Sequence, residues 1–240
     1  MLARPSSARA RAASPLALLL TLVLAAALAG CGGSSGNGVA SKSPTEILAA
    51  AKAAAESATA VHVAGTLSSG GSPITLNMDL AAGSGGRGQL SESSLAFELI
   101  VVGDTVYIKG SPAFYSHFGG AAAAQLFQGK WLKAPASTGE LATLASLTNL
   151  GKIFDQALAS SGTLAKGATT TVDGQQVVEL RDTTKNGSLY VATTGKPYPV
   201  EIVKRGSESG KITFSRWNQP VTLTAPSNAI DLSQLQHAGH

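Results

Sequence analysis

Residues 61–80 read VHVAGTLSSGGSPITLNMDL, and their apolar side chains recur with a period of two. In ITLNMDL (74–80), Ile74, Leu76, Met78 and Leu80 fall on one face of an extended chain, while Thr75, Asn77 and Asp79 fall on the other. Side chains alternate across a strand, so this pattern builds a sheet with one dry side and one wet side. Strand patterns recur in LAFELIVV (95–102), TVYIKG (105–110) and TTTVDGQQVVEL (169–180), then in SLYVATT (188–194), PVEIVKRG (199–206) and GKITFSRW (210–217). Gly, Ser, Pro or Asp bound each segment, with Asp173-Gly174 and Asn186-Gly187 as hairpin turns. The result is an antiparallel meander. LAFELIVV is apolar on both faces apart from Glu98, which predicts cover from both directions.

Helical spacing appears before and between these strands. Ser43-Pro44-Thr45-Glu46 combines a capping residue, a proline suited to the first helical position and the glutamate of a capping box. A helix through about Ser57 follows, with Ile47, Leu48, Ala51, Ala54, Ala55 and Ala58 along one narrow side that suits close packing on a sheet. Residues 112–160 are predicted to be largely helical. There Leu141, Leu144, Leu147, Leu150, Phe154 and Leu158 keep helical spacing, with Ser137 or Thr138 as a start and Gly162 as a stop. Trp131, in GKWLKAP (129–135), reads as a packing residue. Helix, strands, helices and strands in that order make residues 43–240 one α+β domain.

The residues ahead of the domain have a different character. Arg4, Arg9 and Arg11 form a basic start, and Leu16–Ala29 form an apolar run ending in small side chains, the layout of a secretory signal over residues 1–30. The run is shorter than the roughly 20 residues that span a bilayer. Leu28-Ala29-Gly30-Cys31 resembles the bacterial lipobox, in which the cysteine is diacylated and becomes the first residue of the mature chain. Cys31 is the only cysteine, so no disulfide framework exists, and two acyl chains on it would hold the protein stably at the extracytoplasmic face of the cell membrane. Residues 32–42, GGSSGNGVASK, read as flexible coil with a mean span of about 18 Å.

Charge and motifs exclude several functions. The chain has 18 Lys+Arg against 14 Asp+Glu, but three of the arginines lie in the leader, so the remainder is close to balance. With few aromatics and no basic block beyond Lys204-Arg205, a nucleic-acid partner is not expected. Gly32–Gly36 matches G-x-S-x-G around Ser34 without the strand and helix a nucleophile elbow needs. Gly83–Gly88 matches G-x-G-x-x-G without a following helix and reads as a loose connection between strands. Asn186-Gly187-Ser188 fits a glycosylation sequon, but a turn explains it. His62, His117, His237 and His240 lack metal-ligand spacing, and the carboxylates are scattered. No enzyme activity, metal or cofactor is implied. The apolar faces leave two readings open: a filled core, or an open half-barrel whose helices leave room for acyl chains.

Several segments together resemble the actinobacterial envelope lipoproteins of the LppX/LprA/LprF/LprG type. They are the lipobox with its Gly/Ser spacer, VGDTVYIKG (102–110) followed by GKWLKAP, SLYVATTGKPYPVEI (188–202) and FSRWNQPVTLTAPSNAIDL (214–232). The resemblance implies a fold similar to the LolA/LolB carriers, with a curved antiparallel sheet, an open half-barrel, holding helices in its concave face. It implies binding, and transfer within the cell envelope, of lipids or lipid-anchored glycolipids. A non-catalytic module that binds an envelope protein partner is the alternative. For a cavity between sheet and helices, the period of the strands nominates Leu76, Met78, Leu80, Phe97, Leu99, Val101, Val106 and Ile108. Phe127, Leu144, Leu147, Phe154 and Leu158 complete the set from the helices.

Overall fold

The structure, a computed structural model, describes residues 36–139, 141–159 and 162–237; the leader, Cys31 and Ser34 lie outside the described residues. Among the described residues, twelve strands form one open, curved sheet. Five of them are β1 (Ala60–Ser69), β2 (Ser72–Ala81), β3 (Gly85–Glu92), β4 (Leu95–Val102) and β5 (Thr105–Gly110). After a helical insertion come β6 (Leu132–Pro135), β7 (Leu164–Val172), β8 (Gln175–Asp182) and β9 (Gly187–Ala192). Strands β10 (Pro199–Lys204), β11 (Gly210–Ser215) and β12 (Ile230–Asp231) complete it. The order across the sheet is β12-β6-β5-β4-β3-β2-β1-β11-β10-β9-β8-β7, antiparallel except for the β12–β6 pair. The two runs of strands are therefore sewn together through β1 and β11, where His62 pairs with Ser215 and Leu67 with Gly210.

The capping box forms as the sequence predicts. The Ser43 N–H donates to Glu46 Oε2 at 2.9 Å and the Glu46 N–H donates to Ser43 Oγ at 3.4 Å, opening α1 (Pro44–Glu56). Hydrogen bonds from the Ser43 side chain and backbone hold the Glu46 carboxyl below its ordinary range. Ile47, Ala51, Ala54 and Ala55 are buried. Their small size brings the helix backbone close to the sheet, where α1 packs on β7, β8 and β10.

Four features differ from the sequence reading. First, Gly85–Glu92 is a strand inside the sheet, fully registered between β2 and β4, where a loose connection is expected. A Cβ on Gly86 would lie 2.9 Å from Leu80 Cδ2 and 3.1 Å from Thr148 Cβ, so the missing side chains make room for neighbours that fill the core. Second, the leucine series of residues 141–158 is two helices, α3 (Leu141–Ser146) and α4 (Leu150–Ala157). Asn149 separates them, because its side chain accepts from the Lys152 N–H at 3.0 Å and starts a new helix. Third, residues 37–42 are fixed to the sheet where coil is expected. The Asn37 N–H donates to Thr193 O at 2.7 Å, and Asn37 Nδ2 donates to Ala192 O at 2.9 Å and Gly195 O at 3.1 Å. Val39 then enters the core at 1% exposure.

Fourth, LAFELIVV is covered by helices on one face only among the described residues, where cover from both directions is expected. Ile100 is half-buried between its register partners Arg87 and Tyr107. The helices gather on the other face: α2 (Pro112–Phe127) over β4 and β5, and α4 beside α1, with Lys52 Nζ 2.8 Å from Asp155 Oδ1. Beyond β11, the Asn218 N–H donates to Ala60 O at 2.8 Å, and the chain crosses to the far edge, where β12 and the short α5 (Leu232–His237) lie beside β6.

Candidate functional site

Two apolar cavities lie between the concave face and the helices. The smaller, of about 300 Å³, has Val63, Leu76, Met78, Leu90 and Phe214 among its strand residues. Leu147, Ile153 and Ala157 face them from the helical side. Every residue lining it is apolar. Gly88 opposite Met78 leaves the width that the Met78 side chain occupies.

The larger cavity, of about 880 Å³, lies between α2, α3 and strands β4–β6. Phe97, Ile108 and Leu132 form its strand side, Phe114, Tyr115 and Phe127 come from α2, and Leu141 and Leu144 from α3. Phe97 and Leu90, on the walls of the larger and smaller cavities, are direct register partners. Leu144 and Leu147, three residues apart, serve the larger and the smaller cavity respectively, so the end of α3 partitions them.

The polar group deepest in the larger wall is already committed to the backbone. Tyr115 is buried, its hydroxyl accepting from the Gly110 N–H at 2.8 Å and donating to Lys130 O at 3.2 Å. Burial raises its ionisation above the ordinary phenol range, outweighing the Gly110 N–H and the charge of Lys109, which lower it. Other polar contributors to the lining are Thr138, Thr143 and Ser233. A ligand in either cavity therefore gains chiefly from apolar area removed from water, with few placed polar contacts.

The nominated residues divide by position. Leu76, Met78, Leu80 and Leu147 line the smaller cavity, and Phe97, Ile108, Phe127 and Leu144 line the larger. Leu158 lines a third space, of about 310 Å³, which shares Ala157 and Ile202 with the smaller cavity but also carries Asp182 and Lys185. Leu99, Val101, Val106 and Phe154 lie in the filled core, each at 3% exposure or less. Phe154 is wedged there against Phe214 and Trp217, with ring centroids at 5.1 and 5.3 Å. Trp217 in turn stacks on Tyr198. Phe114, Tyr115, Leu90 and Ile153 are lining residues that the strand and helix periods did not nominate. Ser111-Pro112, a cap followed by a first-turn proline, is the signal that marks the start of α2.

By sequence the chain matches no protein-family profile and no curated protein. By structure it resembles LprF from Mycobacterium bovis, with a TM-score of 0.52 at 17% identity, covering 76% of this chain and 96% of that one. It also matches the lipoprotein LppX from Mycobacterium tuberculosis, with a TM-score of 0.49 at 20% identity, over 76% of this chain and 100% of that one. The fold is thus that of LprF, a curved α+β sheet with helices held against one face.

Proposed function

We propose that the chain is a membrane-anchored, non-catalytic envelope lipoprotein that holds the acyl chains of a lipid or glycolipid and passes them on within the envelope. The observation that carries this reading is the pair of apolar cavities between sheet and helices, one lined wholly by apolar residues. Acyl chains suit such walls because their affinity grows with buried apolar area, whereas a sugar or a peptide needs many hydrogen-bonding side chains, and the larger wall offers few beyond Thr138, Thr143 and Ser233. The larger cavity, bounded by aromatic rings, accommodates a bulkier chain, and the smaller a single narrow one. Anchoring follows from the leader and Cys31, through two acyl chains on the cysteine.

Native mass spectrometry of the protein purified from its own membranes, followed by lipid extraction, tests the carrier reading. Co-purifying lipid in stoichiometric amount is expected. Its absence, in protein that is folded, would turn the reading toward a protein-binding module. The same preparation tests the anchor: the mature chain should begin at a diacylated Cys31, and Cys31→Ala should release or mislocalise the protein. Ester hydrolysis should stay at background, with Ser34→Ala changing nothing.

A further inference from the structure

Helix α2 is covered on one side only. Between Lys109 and Lys130 the sequence holds no Asp, Glu, Lys or Arg, and α2 occupies most of that stretch. Its inner side chains, Phe114, Tyr115 and Phe127, meet the larger cavity. Phe118, which lines the same cavity, is nevertheless 61% exposed at its edge, and Leu126 is 52% exposed, with the exposed Ala121 and Ala122 between them. A helix that faces water ordinarily carries a charged or polar outer stripe, whereas one that is apolar all round is ordinarily buried. This one exposes Ser116, His117 and Gln125 but no charged residue, and it leaves two large apolar side chains in water.

Two further features say what covers the outer side. The rings of Phe97, Phe114 and Phe118 form a chain, with centroids 5.2 and 4.8 Å apart, that runs from β4 through the cavity wall to the surface. The apolar face is thus continuous with the cavity. At the base of the helix stand Lys130, which is exposed, and Lys109, which lies 5.4 Å above the Trp131 ring and is paired with Glu98 at 2.7 Å. Lys130 and Trp131 beside a segment without charged residues match the gradient of an anionic bilayer, the ammonium group among headgroups and the apolar side chains below it. Gly120, at φ 77° and ψ 179°, breaks α2 between Phe118 and Leu126, so the two residues stand on separate short helical pieces.

We propose that α2 docks the domain on an anionic bilayer surface, Phe118 and Leu126 entering the acyl boundary, and that the larger cavity opens to that bilayer beside Phe118. The proposal deepens the carrier reading and rests on it for what passes through the opening. Strands β5 and β9 run antiparallel, so α2, which leaves the end of β5, lies at the opposite end of the sheet from Asn37 at the end of β9. Attachment through residues before Asn37 therefore does not by itself press α2 against lipid, and the docking needs its own affinity.

The test uses the full chain carrying Cys31→Ala, which frees it of its only thiol. Leu126→Cys, and in a separate protein Thr170→Cys on the exposed part of β7, is labelled with an environment-sensitive NBD probe and mixed with vesicles of phosphatidylcholine and phosphatidylglycerol. The probe at 126 should brighten several-fold and be quenched by lipid-borne nitroxide, while the probe at 170 should stay aqueous. Adding Phe118→Asp should weaken the vesicle-dependent signal by about tenfold or more. A probe at 126 that stays aqueous, or behaves like that at 170, overturns the proposal. So does one that becomes buried without vesicles as the protein concentration rises, which would assign the face to a second copy. Lipid extraction separates the two ideas: lipid-loaded protein with an aqueous 126 probe overturns docking alone, and lipid-free protein with a buried 126 probe overturns the carrier reading alone.

Discussion

Gly88 faces Met78 across the β2–β3 pair, and the Met78 sulfur lies 2.5 Å from where a Cβ on Gly88 would stand. Such a Cβ would also collide with the Asn77 carbonyl oxygen, a backbone atom that cannot rotate away. Gly88→Ala should therefore destabilise the fold by about 1–3 kcal/mol through overpacking and push Met78 into the smaller cavity. Chemical denaturation measures the first effect, and reduced lipid content of the purified protein measures the second.

Filling a cavity and crowding a core should part company at two leucines on β2 and β4, with β3 between them. Leu76 lines the smaller cavity, so Leu76→Phe should cost less than about 1 kcal/mol and still reduce acyl uptake. Leu99 is wholly buried in the filled core, so Leu99→Trp should cost about 1–3 kcal/mol or more. Thermal melts paired with fluorescent fatty-acid titrations separate the two outcomes.

On the outer face, Asp79 sits among three basic groups. Its Oδ1 lies 2.8 Å from His62 Nδ1 and 2.6 Å from Arg216 Nη2, and its Oδ2 lies 3.5 Å from Arg87 Nη2. Burial alone would raise the carboxyl, but the His62 hydrogen bond and the charges of Arg216, His62 and Arg87 together hold it below its ordinary value near 3.8. A carboxyl depressed in the folded state adds stability above its unfolded pKa and loses it as the pH falls through the folded one. Asp79→Asn should thus cost about 1 kcal/mol at neutral pH, with the difference shrinking below the ordinary carboxylate range. Urea melts of both proteins across that acid range provide the check.

Asn37 ties the incoming chain to the turn after β9 with three bonds from its backbone and side-chain nitrogens. Asn37→Ala should lose about 1–2 kcal/mol and expose Val39, which the Asn37 side chain also holds through the Val39 N–H. Hydrogen exchange should report the loss locally, faster at residues 37–42 and unchanged at β2 and β3.

Much of this architecture was legible because its signals are local. Alternation in Ile74–Leu80 gave β2 its faces, and Ser43 with Glu46 gave α1 its start. β3 escaped because Gly85, Gly86 and Gly88 have no side chains to alternate; only the presence of β2 and β4 on either side makes them a strand. The split between α3 and α4 escaped because the leucines keep one period through a break made by a single polar side chain, that of Asn149. In the site, period placed Leu76 and Leu99 on the same face, but it could not show that helices close over Leu99 and leave space above Leu76. That difference depends on the paths of the helices, which no strand pattern encodes.

The pairing of β1 with β11 has a kinetic consequence. His62 and Ser215 are neighbours in the sheet although some 150 residues separate them in the chain, and the adjacent partners Val63 and Phe214, on the opposite face, line the smaller cavity. Closing so long a loop must precede the contacts that reward it, which places this topology among slow folders, in the millisecond-to-second range. The first five strands can form their meander early, yet β1 keeps an unpaired edge until β11 arrives. During that interval the half-built sheet exposes both an apolar face and a sticky edge, so the nascent molecule is most vulnerable to aggregation while the mature one is already protected by its closed seam.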